Sequence, residues 1–325
     1  MDGFWELHFA AARNIFDLLC KRCIFHKSSI PTSLSPTIHE ERPATWTSLR
    51  ISHDSHCLPP GLIPAVSFIL AWFLRNHILS QACGFLSPVQ CNPTTIRYAE
   101  FLEPQPLNSN ALHLQPIRLD LQRQMGCENW AMLSIMKISS LEAWKNDEIS
   151  NDRLSIFELQ CRASILLRGL ESGINTLIRK RESVASSSSV SDSDSSIITE
   201  LFARAAITYL HVVVVGPKPH LPDIRRSVSR TVKVLRNLSR RNMIRISWPF
   251  TITGCMAIGG EQRTFSEIMK LCIDEGINTG SAWKGMAVME ECWKVTNSDL
   301  NRSMDGVGFG WVEAMKVLKQ KILLC

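Results

Sequence analysis

The sequence lacks the segments that carry a chain into or across a membrane. Its first residues include Asp2 and Glu6 and no basic stretch, so they do not resemble a secretory signal peptide. The longest apolar run, Leu62–Leu74, has 13 residues, whereas a helix needs about 20 to span a bilayer. This run is predicted to be a buried helix. We therefore expect a soluble chain with no membrane partner.

A disulfide framework and a structural zinc site are also missing. The 11 cysteines are an odd number scattered along the chain, which indicates a reducing compartment with mostly buried free thiols. Cys20, Cys23 and His26 have the spacing C-x2-C-x2-H, but a structural zinc site needs two tightly spaced pairs. The residues that would have to complete the site are loosely spaced, so we predict no metal. They are His53, His56 and Cys57.

Motifs of catalysis are absent or incomplete. The sequence has no Gly-x-Ser-x-Gly, and the glycines of "DGVGFGW" do not match G-x-G-x-x-G and have no P-loop lysine. Cys255 follows Gly254 within the wholly apolar "FTITGCMAI". A nucleophilic thiol needs a positive neighbour or a helix N-terminus that lowers its pKa, so this pattern favours an inert, packed cysteine. We predict that the protein is not an enzyme, and a cysteine-dependent enzyme is the alternative.

Positive charge is concentrated in one segment. The chain has a net charge of +6, but Pro222–Arg245 carries eight basic residues against one aspartate, so the rest of the chain sums to −1. A broad nucleic-acid-binding face would be basic more widely. The segment is predicted to be a helix with a solvated charged face, and phosphate contact is the alternative. The candidates for that contact are Arg226, Arg230, Lys233 and Arg240.

Helical spacing of apolar residues recurs along the chain. In the basic segment, apolar residues are separated by four, four, three and three positions, and Pro222 occupies a favoured first helical position. Only "YLHVVVVG", Tyr209–Gly216, has the valines of a strand, and so short a run does not decide between strand and helix. We predict an all-α fold. The apolar stripe consists of Ile224, Val228, Val232, Leu235 and Leu238.

Two segments are predicted to be flexible loops within one domain of residues 1–325. The segment at about 183–199 includes "SVASSSSVSDSDSS", which has no residue larger than valine and cannot bury enough surface to offset its ordering entropy. The segment at about 28–60 is rich in proline, serine, threonine and histidine.

Four segments carry a further pattern, in this order: "GCENWAMLSIMKISSLEAWK", "ITELFARAAITYLHVVVVGPKPHLPDIRRSVSRTV", "SWPFTITGCMAIGGEQ" and "AWKGMAVMEECWKV". Together they resemble the fungal-specific transcription factor domain that follows the binuclear zinc cluster in many fungal regulators. The similarity is strongest to the branch with the acriflavine sensitivity control protein and regulators of secondary-metabolite clusters. The matching landmark residues are Gly126, Cys127, Asn129, Trp130, Trp144, Tyr209, Gly216, Pro217, Trp248, Pro249, Gly254, Cys255, Glu290, Cys292 and Trp293.

The resemblance implies structural roles for these landmarks. The segment from Trp248 to Cys255 would be a helix that starts near Pro249 and whose cysteine is not catalytic. Gly254 is small enough to let another helix approach closely. The four tryptophans of the landmark set would be anchors of the core.

One departure from the family concerns DNA binding. Such regulators hold two zinc ions with a C-x2-C-x6-C…C-x2-C-x6-C array, and this sequence has no such array. We expect the chain to lack its N-terminal part and to need no cofactor itself, because the zinc would belong to that missing cluster.

The resemblance implies a transcriptional regulator of a fungal, secondary-metabolite gene cluster in the nucleus. The expected partners are other transcription factors or the transcription machinery, a small-molecule effector, and a second chain in a homo- or heterodimer. DNA would be contacted only indirectly, unless the protein carries an N-terminal zinc cluster outside the given sequence. The alternative is a truncated, non-functional or dominant-negative fragment of such a regulator.

Overall fold

The computed structural model describes residues 63–85, 101–103, 119–184, 190–298, 308–322 and 324. Every regular element in these ranges is a helix, which confirms the prediction of an all-α fold. The helices are α1 Ile63–Ala82, α2 Leu121–Met125, α3 Asn129–Ser150, α4 Ile156–Val184, α5 Val190–Val215, α6 Pro222–Leu235, a 3-10 helix Arg240–Arg245, α7 Ser247–Cys255, α8 Gly260–Asp274, α9 Ala282–Asn297 and α10 Trp311–Val317.

Helix α5 lies at the centre of the arrangement. It packs against α3, α4, α6 and α7, while α1 packs on α3 and α10 packs on α9. Residues Asp194–Val215 have the length and apolar composition of a membrane-spanning helix, a property that no other helix in the described ranges shares. Most of this stretch is buried by the neighbouring helices, as expected for a core helix that is apolar on nearly every side.

The apolar stripe predicted in the basic segment forms the buried side of α6 and continues three residues past its end, to Leu238. All five of its residues, from Ile224 to Leu238, are buried. Pro222 is the first residue of the helix, where its missing N–H removes no intrahelical hydrogen bond. The spacing of three and four residues therefore identified both the helix and its inner face.

The prediction of a loop at 183–199 is wrong for most of these residues. Helix α4 continues to Val184 and α5 already begins at Val190, so only 185–189 lie between them, outside the described residues. Tertiary contacts override the low intrinsic helix propensity of serine here: Asp194 Oδ2 accepts a hydrogen bond from Asn242 Nδ2 at 2.8 Å. The strand-like valines near Tyr209 belong to the last turns of α5. The loop predicted at 28–60 lies outside the described residues.

The run Leu62–Leu74, predicted to be a buried helix, is buried on only part of its surface in α1. The run is helical from Ile63 onward, and its later residues face α3 in the core. One side of its first turns is open, with Phe68 and Ile69 each 52% exposed and Trp72 45% exposed. A run that is apolar all round carries no information about which side faces the core.

Helices α7 and α9 cross in close contact through a glycine on each helix. A Cβ atom on Gly254 would overlap Met289, and a Cβ atom on Gly285 would overlap the hydroxyl of Thr251. Trp293 Nε1 donates a hydrogen bond to the Gly254 carbonyl at 2.7 Å across the crossing. Helix α9 therefore approaches α7 closely at Gly254, as the sequence predicted.

All nine residues of α7 are buried, and some of its hydroxyl groups have no hydrogen-bond partner. Thr253 is fully buried and its Oγ1 is unpaired. We expect Thr253→Val to raise the free energy of unfolding by about 1 kcal/mol, because it removes an unpaired buried hydroxyl at nearly constant volume. Denaturant unfolding measures this change.

Thr208 is the matched control for this substitution. It is also fully buried, but its Oγ1 lies 2.7 Å from Ser227 Oγ and joins α5 to α6. Thr208→Val should lower the free energy of unfolding by about 1 kcal/mol, since it removes this hydrogen bond and leaves the Ser227 hydroxyl only the longer one, 3.4 Å, to the Arg204 carbonyl. Equal losses at the two positions would contradict the assignment of Thr253 as unpaired.

Candidate functional site

Four aromatic side chains from three helices form a cluster around the landmarks Tyr209 and Trp248. Trp248 of α7 stacks on Phe202 of α5, with ring centroids 6.0 Å apart and an interplanar angle of 7°. Tyr209 of α5 meets Trp248 edge-on at 6.2 Å and Trp311 of α10 at 5.9 Å. Such contacts add about 0.5–1.5 kcal/mol each to the burial of the rings. The cluster fixes α7 and α10 on α5.

A polar group lies at the edge of this aromatic cluster. Tyr209 donates its hydroxyl hydrogen to Glu142 Oε2 at 2.5 Å, and Lys145 Nζ donates to the Val213 carbonyl at 2.6 Å. Burial raises the pKa of Glu142, an effect that the hydrogen bond from Tyr209 and the charge of Lys145 oppose. Burial lowers the pKa of Lys145 and raises that of Tyr209 well above its usual value. These contacts tie α3 to α5.

The "GCENW" segment fastens the N-terminus of α3 to its surroundings. Gly126 ends α2 with φ of 78°, a left-handed conformation that glycine adopts without strain. Asn129 Nδ2 donates to the Leu119 carbonyl at 2.7 Å, and its Oδ1 accepts from the Leu121 amide at 3.0 Å. The Glu128 amide donates to Thr199 Oγ1 of α5 at 3.0 Å. The segment is thus a structural junction between α2, α3 and α5.

The four tryptophans predicted as core anchors divide into two pairs. Trp248 and Trp293 are buried, whereas Trp130 and Trp144 are only partly buried. Trp130 covers Gly173 of α4, where a Cβ would lie 2.6 Å from its Cζ3. Trp144 lies 4.1 Å beneath the guanidinium of Arg162. The second pair therefore attaches α4 to α3 at the surface and does not fill the core.

The remaining landmarks connect the ends of the fold or lie at the surface. Gly216 ends α5 with φ of 82°, and the next residue, Pro217, packs against the start of α10. A Cβ on Gly308 would lie 2.7 Å from the Pro217 carbonyl oxygen. Glu290 is exposed on α9. The start of α7 at Ser247 places Pro249 at its third residue.

The landmark cysteines are buried and their surroundings do not activate them. Cys255, Cys292 and Cys127 are at most 2% exposed. Burial raises the pKa of Cys255, and the neighbouring thiol of Cys292 adds to the shift. Burial likewise raises the pKa of Cys127, although Arg75 opposes it. Since the thiolate is the reactive form, this arrangement favours packing over nucleophilic chemistry at Cys255.

Alkylation of the native protein tests this conclusion. Iodoacetamide at pH 8 should modify the exposed Cys161 while leaving Cys255 unmodified, because the raised pKa removes the thiolate and burial blocks the reagent. Peptide mapping by mass spectrometry, before and after denaturation, measures both sites. Rapid modification of Cys255 in the folded protein would contradict this result and favour the enzyme alternative.

Three residues of the basic segment form ion pairs within the chain. Arg225 pairs with Glu261 of α8 at 2.7 Å, and Arg240 pairs with Glu275, which follows α8, at 2.5 Å. Arg226 lies 3.5 Å from Asp223 on its own helix. Two of the four predicted phosphate-contact residues, Arg226 and Arg240, thus have carboxylate partners. The other two, Arg230 and Lys233, are exposed and form no ion pair with the described residues.

A buried acid on α5 is a feature that the sequence reasoning missed. Glu200 is 2% exposed and accepts hydrogen bonds from Arg181 of α4 at 2.5 Å and Arg204 of α5 at 2.8 Å. The signal was present in the sequence, because Glu200 and Arg204 are the two charged residues of the mostly apolar "ITELFARAA" and lie four positions apart. An acid in an apolar helix predicts a basic partner.

Within the part of the chain that the structure describes, no group of three or more histidine, cysteine, aspartate or glutamate residues is arranged to hold a metal ion. The weak C-x2-C-x2-H pattern at Cys20 and the histidines near Cys57 lie outside it. Helices α1 and α3 are in direct contact, and Leu70, Phe73 and Leu74 of α1 are buried. The landmark residues thus form a packing network.

The chain is similar to fungal transcription regulators. The family described as Fungal specific transcription factor domain matches residues 1–325. The trichothecene biosynthesis transcription regulator TRI10 of Trichoderma arundinaceum is 30% identical over 90% of this chain and 63% of its own length. TRI10 of Fusarium sporotrichioides is 30% identical over 93% of the chain and 65% of its own length.

A third relative extends this group of regulators. The transcription factor dibT of Pestalotiopsis microspora is 27% identical over 90% of this chain and 47% of its own length. The chain therefore spans about half to two thirds of the length of these relatives. No solved structure matches the chain. The match over all 325 residues confirms the resemblance of the four segments, and the chain belongs to the fungal specific transcription factor domain family.

Proposed function

We propose that this chain is the regulatory domain of a transcriptional regulator of a biosynthetic gene cluster, acting in the nucleus and without catalysis. The observation that carries the proposal is the family match over residues 1–325, together with relatives named as regulators of biosynthesis. The landmark residues support it, because they hold the helices together and Cys255 is buried. The domain transmits a signal to a DNA-binding module or to the transcription machinery through its surfaces.

The proposal includes how the domain meets its partners. It forms one domain over residues 1–325, and it contacts DNA only through another module or a partner transcription factor. Arg230 and Lys233 are available for sequence-independent phosphate contact once that module is bound, since both are exposed. A small-molecule effector would act on the helical domain and change its affinity for the partner.

A reporter assay tests the proposal. The chain is fused to the DNA-binding module of an unrelated factor, and transcription from a promoter with that factor's site is measured. The fusion should raise or lower reporter output relative to the module alone. Glu290→Ala, at an exposed position of α9, should retain the effect, whereas Gly285→Val in the same helix should abolish it by opening the crossing with α7. Unchanged output from a folded, nuclear fusion would overturn the proposal.

A further inference from the structure

Helix α4 exposes an apolar stripe on the side opposite its buried face. Its inner residues, such as Leu159 and Leu170, are buried against α3 and α5. On the outer side Phe157 is 78% exposed and Ile165 is 61% exposed, with the exposed Cys161 midway between them at a spacing of four residues. Together with three polar residues they line a shallow groove. The polar residues are Gln160, Ser164 and Arg168.

The charges beside this stripe are complementary to their own copy in one orientation. Glu158 and Arg168 lie ten residues apart on the outer side of α4, and both are exposed. Glu158 also pairs with Arg162 of its own helix at 2.6 Å. In an antiparallel pair of α4 helices centred on Ala163, Glu158 of each copy lies across from Arg168 of the other. The same register brings Cys161 opposite Ile165. A parallel pair would instead place like charges opposite each other, which is unfavourable.

Space is available where the largest side chain of the stripe would go. In this register Phe157 of one copy lies opposite Gly169 of the other, and a Cβ at Gly169 would have no neighbour within 4 Å. Each contact occurs twice about a two-fold axis, as in most homodimers. We propose that the outer face of α4 is the docking surface for α4 of a second copy of this chain, in antiparallel orientation.

The expected dimer is weak and reversible. One helix pair buries less than the roughly 1,600 Å² of a standard interface, so assembly should depend on concentration in the micromolar range. The dimer does not depend on the proposed function, because the proposal concerns only the pairing of two copies. Two domains held together through α4 would present two copies of every other surface to a partner.

Sedimentation equilibrium of the full chain tests the proposal. The weight-average mass should rise toward twice 36.6 kDa with increasing protein concentration. Phe157→Lys should keep the protein monomeric, while Phe68→Lys, at an exposed aromatic of α1, should leave the rise unchanged. A monomeric mass throughout, or a rise that Phe157→Lys does not affect, would overturn the proposal.

Charge reversal tests the orientation. Arg168→Glu should weaken dimerisation at least tenfold, and adding Glu158→Lys should restore it, since the pair is then complementary again with exchanged signs. Circular dichroism on each variant confirms that α4 remains helical. Failure of the double variant to recover would show that these two residues do not face each other, and would overturn the antiparallel register.

Disulfide trapping gives an independent readout. Ile165→Cys should form a covalent dimer under mild oxidation with diamide, because Cys161 of one copy then lies opposite the new thiol of the other, within the range of a disulfide. Ile156→Cys, which is also exposed but lies beside the stripe, should form far less. Equal yields of covalent dimer from the two variants would show that the disulfides form by random collision, and would contradict the proposal.

Discussion

Gly285→Ala is expected to lower the free energy of unfolding by about 2 kcal/mol, although alanine normally favours a helix over glycine. The added Cβ would overlap the hydroxyl of Thr251 on α7, and the two helices would have to separate. Separation also lengthens the hydrogen bond from Trp293 to the Gly254 carbonyl. Chemical denaturation of the purified chain gives the change, with circular dichroism at 222 nm as the signal.

The same substitution elsewhere supplies the control. Gly169 lies in the middle of α4 and a Cβ there meets nothing within 4 Å, so Gly169→Ala should stabilise the chain by about 0.5–1 kcal/mol. Thr251→Ala combined with Gly285→Ala should recover part of the loss, because the clash with the hydroxyl is gone while Thr251 Cβ still lies 3.1 Å from the new atom. Additive losses in the double variant would show that the two positions do not touch.

Glu200→Ala is expected to lower the free energy of unfolding by about 3–5 kcal/mol, which is a large part of the stability of an ordinary domain. The substitution leaves Arg204, whose side chain is 16% exposed, without its carboxylate in a largely apolar setting. It also removes the ion pair of Arg181 with Glu200, which joins α4 to α5. Urea unfolding of the variant measures the loss.

An exposed ion pair gives the comparison. Glu158 pairs with Arg162 at the surface of α4, with both side chains nearly half exposed, so Glu158→Ala should change stability by less than about 0.5 kcal/mol. The triple variant Arg181→Met, Glu200→Leu and Arg204→Met should recover most of the loss, because it removes the buried carboxylate and both of its partners together. If Glu200→Ala lowers the free energy of unfolding as little as Glu158→Ala does, the conclusion that burial makes the Glu200 ion pairs important is contradicted.

The sequence predicted features that depend on local spacing. The five-residue stripe of α6 repeats at three and four positions, so its helix and its buried side follow directly. The apolar surroundings of Cys255 likewise predicted a buried thiol. Both properties are encoded within about 15 neighbouring residues, and tertiary contacts reinforce the local preference.

Features that depend on distant partners could not be predicted in this way. The serine-rich residues after Val190 are helical although their composition indicates a loop. Tyr209 binds Glu142, which lies 67 residues earlier in the chain, and periodicity cannot specify such a pairing. The exposed side of α1 was missed for the same reason, since a helix that is apolar all round takes its orientation from what packs on it.

The hydrogen bond from Trp311 to the Ala82 carbonyl, 3.3 Å long, joins residues 229 positions apart. Arg75 similarly binds the Arg245 carbonyl, 170 positions later. During synthesis at about 5–20 residues per second, α1 leaves the ribosome roughly 10–50 s before Trp311 does. For that interval its binding site for Trp311 is empty, so the nascent chain has to keep an early apolar helix from aggregating until nearly all of the domain has been translated.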